Sequence, residues 1–137
     1  MATLTAADLA GIPLFEDLSE DERARLAGKF EERTVGAGSH LTAKGASGYL
    51  FFVIVEGAAE AQIDDRPVGQ LSPGDFFGEV AMLGETGRRM AAVVATSDMR
   101  VGVMFGTEFR QMEGDFPQVV ERLRAAMNER LAIAGLG

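Results

Sequence analysis

Residues 77–91 carry the side chains best suited to binding a small anion. Helix-forming residues between Gly78 and Gly84 predict one or two helical turns at this point. The first turn of a helix presents backbone N–H groups that lack intrahelical partners, and the helix dipole adds attraction for negative charge. Gly78 has no side chain, so a ligand can approach the backbone closely. The candidate binding residues are Phe77, Gly78, Glu79, Val80 and Ala81, followed by Arg88, Arg89, Met90 and Ala91.

The charged side chains of this segment favour a ligand that contains both a phosphate and a hydroxyl group. Ionised Glu79 can only accept hydrogen bonds, so it matches a hydroxyl donor. Arg88 and Arg89 follow a glycine-flanked turn, and a guanidinium group can bind phosphate through two parallel hydrogen bonds. A sugar phosphate or a nucleotide with a free hydroxyl satisfies both requirements. A second interpretation stays open, in which Glu79 and Arg89 form an ion pair with each other.

The elements that must position this segment are predicted to be mostly strands. Between residues 31 and 105, short apolar runs alternate with turn residues at intervals of about ten residues. Such regular punctuation is typical of a β-sandwich or jelly-roll barrel. The predicted strands are 32–35, 40–43, 50–55, 58–63, 68–71, 91–95 and 99–104.

Helices are predicted on both sides of the strand region. Ser19 and Glu22 have the spacing of a capping box, which predicts a helix over residues 20–30. A short helix is predicted over 107–112 and a longer one from about 116 to 134, with Asp115 as its cap. Apolar residues at helical spacing predict that the longer helix packs on the strands. These residues are Val120, Leu123, Met127 and Leu131.

Composition limits the classes of protein to consider. The 137-residue chain has a hydrophobic fraction of 47%, which predicts one domain, residues 1–137, with its own core. Within it we expect a helical part at about 5–30, a barrel at about 31–105 and helices at about 107–134. The chain has no cysteine, which excludes disulfides, thiolate metal sites and a cysteine nucleophile.

Charge and hydropathy exclude further partners. A formal net charge of -8 repels polyanions, so we expect no direct nucleic-acid binding by this chain. No apolar run approaches the roughly 20 residues of a membrane span, so we expect a soluble, cytoplasmic protein. The single histidine, His40, falls in a predicted strand and lacks neighbours for metal binding or nucleophilic catalysis. We therefore expect that the protein binds no metal ion and is not an enzyme.

The order of residues in the candidate segment resembles the phosphate-binding cassette of the cyclic-nucleotide-binding domain family. The resemblance lies in residues 77–83, in Arg89 ten residues after Glu79, and in Ala91-Ala92-Val93. Residues 44–45, 51–57 and 71–78 add further landmarks, so the resemblance covers roughly residues 12 to 134. That family includes the bacterial catabolite activator protein and the regulatory subunits of cAMP-dependent protein kinase. The resemblance implies an eight-stranded jelly-roll β-barrel with N-terminal and C-terminal helices.

The resemblance also implies roles for individual residues. Glu79 would accept from the ribose 2′-hydroxyl, and N–H groups near Gly78, Glu79, Val80 and Ala81 would contact the cyclic phosphate. Arg89 would pair with the phosphate charge, because counting back from Ala91 places it at the arginine position. Arg88 is the alternative, since some members have that arginine one residue earlier. Met90 stands where a small or hydroxylated residue is usual, which favours cAMP over cGMP or indicates a narrowed pocket that binds weakly.

The function implied by the resemblance is a regulatory sensor that is not an enzyme. Binding of a cyclic nucleotide would move the C-terminal helix, and that movement would reach an effector protein or effector domain. A homodimer is compatible with this function. Two alternatives stay open: a degenerate domain that acts as a protein-interaction scaffold without nucleotide, and the sensor part of a longer transcriptional regulator.

Overall fold

Short helices form the N-terminal part of the computed structural model, which describes residues 2–42, 50–78 and 92–133. They are α1 (Ala6–Ala10), a 3₁₀ helix (Pro13–Phe15) and α2 (Glu20–Ala27). The predicted capping box is confirmed, because the Ser19 hydroxyl accepts from the Glu22 N–H and the Glu22 carboxylate accepts from the Ser19 N–H. Helix α2 ends three residues earlier than predicted, since the chain turns after Ala27 to enter the first strand.

The strand region forms two antiparallel sheets of four strands each. The spatial order is β1-β8-β3-β6 in the first sheet and β2-β7-β4-β5 in the second. No pair of described strands joins one sheet to the other, so the described residues form a mainly β sandwich with flanking helices. The strands are β1 (Glu31–Val35), β2 (His40–Thr42), β3 (Leu50–Glu56), β4 (Ala59–Ile63), β5 (Arg66–Leu71), β6 (Phe76–Phe77), β7 (Ala92–Ala95) and β8 (Met99–Phe105).

All seven predicted strands are present, with ends that agree within two residues wherever the structure describes them. The additional strand, β6, was not predicted. Two consecutive phenylalanines do not show the alternation of apolar and polar residues that indicates a strand. Strand β6 forms because Phe76 and Phe77 pair with Val53 and Phe52 of β3.

The first sheet lies between two apolar clusters, which explains the continuous apolar run of β3. Phe51 and Val53 join the cluster formed with the helices, whereas Phe52 and Ile54 join the cluster between the sheets. Successive side chains of a strand point to opposite faces, so a strand covered on both faces is apolar throughout.

Two helices follow β8. They are α3 (Gly106–Asp115) and α4 (Pro117–Ile133). The prediction that Asp115 caps the longer helix is wrong, because the Phe116 N–H donates to the Met112 carbonyl and keeps Asp115 inside α3. The Phe116 carbonyl accepts the first hydrogen bonds of α4, from Val119 and Val120.

The buried face of α4 is formed near its start. Phe116, Val119, Val120 and Leu123 are buried in the cluster between the helices and the first sheet, and Met127 is half-buried. The predicted stripe is therefore confirmed at Val120 and Leu123, while the Leu131 side chain lies outside the described part. No helix among the described residues is long and apolar enough to cross a lipid bilayer.

Candidate functional site

The chain enters the candidate site through a tight turn at residues 72–75. The Asp75 carboxylate accepts from the Ser72 N–H at 2.8 Å and from the Ser72 hydroxyl at 3.3 Å, which closes the turn. Hydrogen bonds of 2.9 Å from the Gly74 N–H to the Ile54 carbonyl, and from the Ile54 N–H to the Asp75 carbonyl, fix the turn on β3. The turn thus fixes the start of β6, the strand that contains the first candidate residue, Phe77.

Phe77 is the first candidate residue, and its ring belongs to the core between the sheets. It stacks on Phe52 with ring centres 4.6 Å apart and planes at 10°, and it is 4% exposed. Such a ring stabilises the fold through the apolar surface that it buries. In the described contacts Phe77 is therefore a core residue, and its part in ligand binding stays a prediction.

Gly78 follows at the end of β6 with φ of 100°. Residues with side chains rarely adopt this conformation, whereas glycine adopts it without strain. The missing side chain of Gly78 predicts close approach of a ligand, and its φ angle adds a conformational requirement at the same residue.

The two ends of the candidate segment attach to different sheets. Gly78 leaves β6 at the edge of the first sheet, and Ala92 begins β7, which lies between β2 and β4 in the second sheet. The segment between them therefore links the two layers of the sandwich. The helical turns predicted between Gly78 and Gly84 lie outside the described residues. The same holds for the other candidate residues, which are Glu79, Val80, Ala81, Arg88, Arg89, Met90 and Ala91.

A second region of the surface contains a cavity. This open cavity of about 440 Å³ lies at the ends of β1, β3 and β8, and its lining includes Glu56, Asp98 and Arg100. The Arg100 guanidinium is already bound to Asp8 and Glu32, so the remaining charged lining is acidic. Its described lining is thus poorly suited to a phosphate group, and that lining includes neither Phe77 nor Gly78.

Metal binding has no support in the described part of the chain. No three histidine, cysteine, aspartate or glutamate side chains gather there in a way that could hold a metal ion. His40 lies exposed in β2, opposite Val94 of β7.

Comparison with protein families identifies the chain's class. Residues 32–114 match the cyclic nucleotide-binding domain, and this range contains both β6 and the whole candidate segment. The chain therefore belongs to the cyclic nucleotide-binding domain family, which confirms the resemblance read from the sequence.

Individual relatives agree with this class. The chain is 39% identical over 122 residues to the cAMP-dependent protein kinase regulatory subunit of Mycosarcoma maydis, covering 83% of this chain and 23% of that protein. It matches the Thermus thermophilus catabolite activator protein with a TM-score of 0.79 and 27% identity, covering 90% of this chain and 60% of that one.

A third match supports similarity of fold only. The regulatory subunit of a cAMP-independent protein kinase A from Trypanosoma brucei matches with a TM-score of 0.79 and 22% identity, covering 89% of this chain and 44% of that one. Across the curated relatives considered, the chain spans 23% to 34% of their length.

Proposed function

We propose that this chain is a regulatory module that binds a cyclic nucleotide, with a preference for cAMP over cGMP, and that it is not an enzyme. The observation that carries the proposal is that the family match encloses the entire candidate segment, residues 77–91. Within that segment, the order of glycine, glutamate and arginine supplies the groups that a cyclic sugar phosphate requires. The relative from Mycosarcoma maydis is named as a cAMP-dependent regulatory subunit, which supports cAMP as the ligand.

The proposed contacts follow from the chemistry of the candidate residues. Glu79 accepts from the ribose 2′-hydroxyl, N–H groups of residues 78–81 donate to the cyclic phosphate, and Arg89 neutralises its charge. Met90 offers only a weak thioether acceptor, which disfavours the extra polar groups of guanine. We place these groups in an eight-stranded jelly-roll barrel built from the two described sheets.

The proposed output is mechanical and acts through the C-terminal helix. Helix α4 packs on the 3₁₀ helix and on α3, and its buried residues share an apolar cluster with the first sheet. A shift of α4 on ligand binding would therefore change a surface that an effector can contact. The effector is a separate protein or a further domain. A cytoplasmic location and a homodimer remain predictions.

A scaffold without nucleotide is the second candidate. It is favoured by the Trypanosoma brucei structure, because that protein has the same fold and is described as cAMP-independent. A third candidate, the sensor part of a longer transcriptional regulator, is favoured by the catabolite activator protein, of which the chain covers 60%.

Titration calorimetry of the purified chain with cAMP, cGMP and 5′-AMP tests the proposal. We expect cAMP to bind more tightly than cGMP, and both to bind more tightly than 5′-AMP, which lacks the cyclic ester. Absence of binding by cAMP and cGMP up to millimolar concentration, for protein with a folded circular dichroism spectrum, contradicts the proposal and supports the scaffold. Tighter binding of cGMP than of cAMP contradicts only the stated preference.

A further inference from the structure

Arg122 connects the C-terminal helix α4 to the N-terminal part of the chain. Its Nη1 donates to the Pro13 carbonyl at 2.8 Å and to Oε1 of Glu16 at 3.1 Å, and its Nη2 donates to Oδ2 of Asp17. One guanidinium group therefore holds the backbone of the 3₁₀ helix and the two carboxylates that follow it.

The same N-terminal segment supports the turn that leads into the candidate site. Gly74, at the tip of that turn, has φ of 94°, and a Cβ atom built there would lie 3.5 Å from both the Gly11 carbonyl oxygen and Cδ of Pro13. The Pro13 ring thus lies beside Gly74, where a side chain would meet it at van der Waals distance, and the Pro13 carbonyl accepts from Arg122. Three residues after Gly74, the chain reaches Phe77.

We propose that Arg122 is a positioning residue for the cyclic nucleotide site. It acts through Pro13 on the turn at residues 72–75 and so holds β6, from which the candidate segment continues. The inference rests on the proposed function, because it assigns a support for that same site. Its basis is preorganisation, since a site that is already ordered loses less conformational freedom when the ligand binds.

The number of acceptors distinguishes Arg122 from an ordinary surface arginine. A single exposed ion pair contributes little, because solvent screens it and two side chains must be ordered. Here one guanidinium binds two carboxylates and a carbonyl, and its side chain is 35% exposed. Charge-assisted hydrogen bonds that converge in this way fix geometry as well as adding energy.

Arg124 provides the matched control on the same helix. Its Nη2 lies 3.9 Å from Oε2 of Glu113 in α3, so this ion pair stays within the C-terminal helices. Replacing Arg124 removes a charge from α4 without touching the contact to Pro13.

Calorimetry with cAMP on the full chain gives the first test. We expect Arg122→Ala to weaken binding about three- to tenfold and Arg124→Ala to change it less than about twofold. Arg122→Lys keeps a charged donor for the Pro13 carbonyl, so it should bind cAMP more tightly than Arg122→Ala. Equal affinity of Arg122→Ala and the unsubstituted chain overturns the proposal.

Amide hydrogen exchange without ligand gives an independent test. In Arg122→Ala we expect faster exchange at the Ile54, Gly74 and Asp75 amides, which fix the turn, as well as in residues 14–17. Acceleration in residues 14–17 alone overturns the proposal, because the change then fails to reach the turn. If the unsubstituted chain binds neither cyclic nucleotide, the proposed function fails, while exchange at the turn still decides whether Arg122 acts on it.

Discussion

Arg100 and Asp8 form a two-point ion pair between parts of the chain that are 92 residues apart. Nη1 of Arg100 lies 3.0 Å from Oδ1 of Asp8, and Nη2 lies 3.1 Å from Oδ2. The Nε–H of the same guanidinium donates to Glu32. Helix α1 is thereby fixed to β8 and β1, and the hydrogen bonds from Arg100 to Glu32 and Asp8 raise the pKa of Arg100.

The Asp8 carboxylate makes this connection sensitive to acid. Burial alone would raise the pKa of Asp8, but hydrogen bonds from Arg100 and Thr5, together with the Arg100 charge, lower it below the usual 3.8. A carboxyl group whose pKa is lower in the folded state stabilises the protein above its unfolded pKa. That contribution is lost as pH falls from about 3.8 through the lower folded value.

Asp8→Asn tests this connection. We expect the substitution to lower the free energy of unfolding by about 1–2 kcal/mol at pH 7, because the two hydrogen bonds from Arg100 lose their charged acceptor. The difference from the unsubstituted chain should shrink at pH 3, as measured by urea denaturation at both pH values. Glu31→Gln is the control, since it removes a partly exposed pair with Arg33 on the same strand. A deficit of equal size at both pH values contradicts the assigned role of Asp8.

Gly102 lies in the middle of β8 because the N-terminal segment occupies the space that a side chain would need. A Cβ atom there would overlap Cδ1 of Leu4 and lie 3.0 Å from Cγ2 of Val53. Both neighbours are buried, so Gly102→Ala should cost about 1–3 kcal/mol of unfolding free energy through overpacking. Gly69→Ala in β5 is the matched control, since nothing lies within 4 Å of its Cβ position. Equal effects of the two substitutions in thermal denaturation would contradict this explanation.

Local signals in the sequence were sufficient for most of the fold. The capping box of Ser19 and Glu22 depends on residues three apart, and its prediction is confirmed. The break predicted between strands 58–63 and 68–71 is likewise confirmed, since Asp64 and Asp65 form a tight loop there from adjacent residues.

Long-range pairing accounts for what the sequence analysis missed. Strand β6 exists through its register with β3, and Arg100 depends on acceptors from two other elements. The short helix predicted over 107–112 is longer in the structure, Gly106–Asp115, and the Phe116 N–H that follows it donates to the Met112 carbonyl. Of the candidate site, Phe77 and Gly78 are described, and the roles of the later residues remain predictions.

Asp65 adopts a backbone conformation that favours glycine. Asp64 and Asp65 have φ of 53° and 63° and form the two-residue loop between β4 and β5, closed by Ile63 and Arg66. Two-residue loops of this kind favour glycine at the second position. We expect Asp65→Gly to raise the free energy of unfolding by about 0.5–1 kcal/mol and Asp65→Val to lower it, with Asp65→Asn close to the natural residue. Chemical denaturation of the three variants measures this order, and a stabilising valine would contradict it.

Arg88 and Arg89 are neighbours, so alanine at each position tests which one pairs with the cyclic phosphate. Charge-assisted hydrogen bonds contribute about 1.5–3 kcal/mol, and 1.4 kcal/mol corresponds to a tenfold change in affinity. We therefore expect Arg89→Ala to weaken cAMP binding at least about tenfold in calorimetry, while Arg88→Ala has little effect. The reverse result would assign the role to Arg88, nine residues after Glu79.

Glu79 is tested by removing the hydroxyl group that it is proposed to bind. The unsubstituted chain should bind cAMP more tightly than 2′-deoxy-cAMP, because a carboxylate left without its donor loses a charge-assisted hydrogen bond. In Glu79→Ala the two ligands should bind with similar affinity, measured by calorimetry under the same conditions. If Glu79 instead serves only as an ion-pair partner of Arg89, the substitution would change the affinity for both ligands by the same factor and leave their ratio intact. The ratio of the two affinities therefore decides between the two interpretations of Glu79 that its sequence position leaves open.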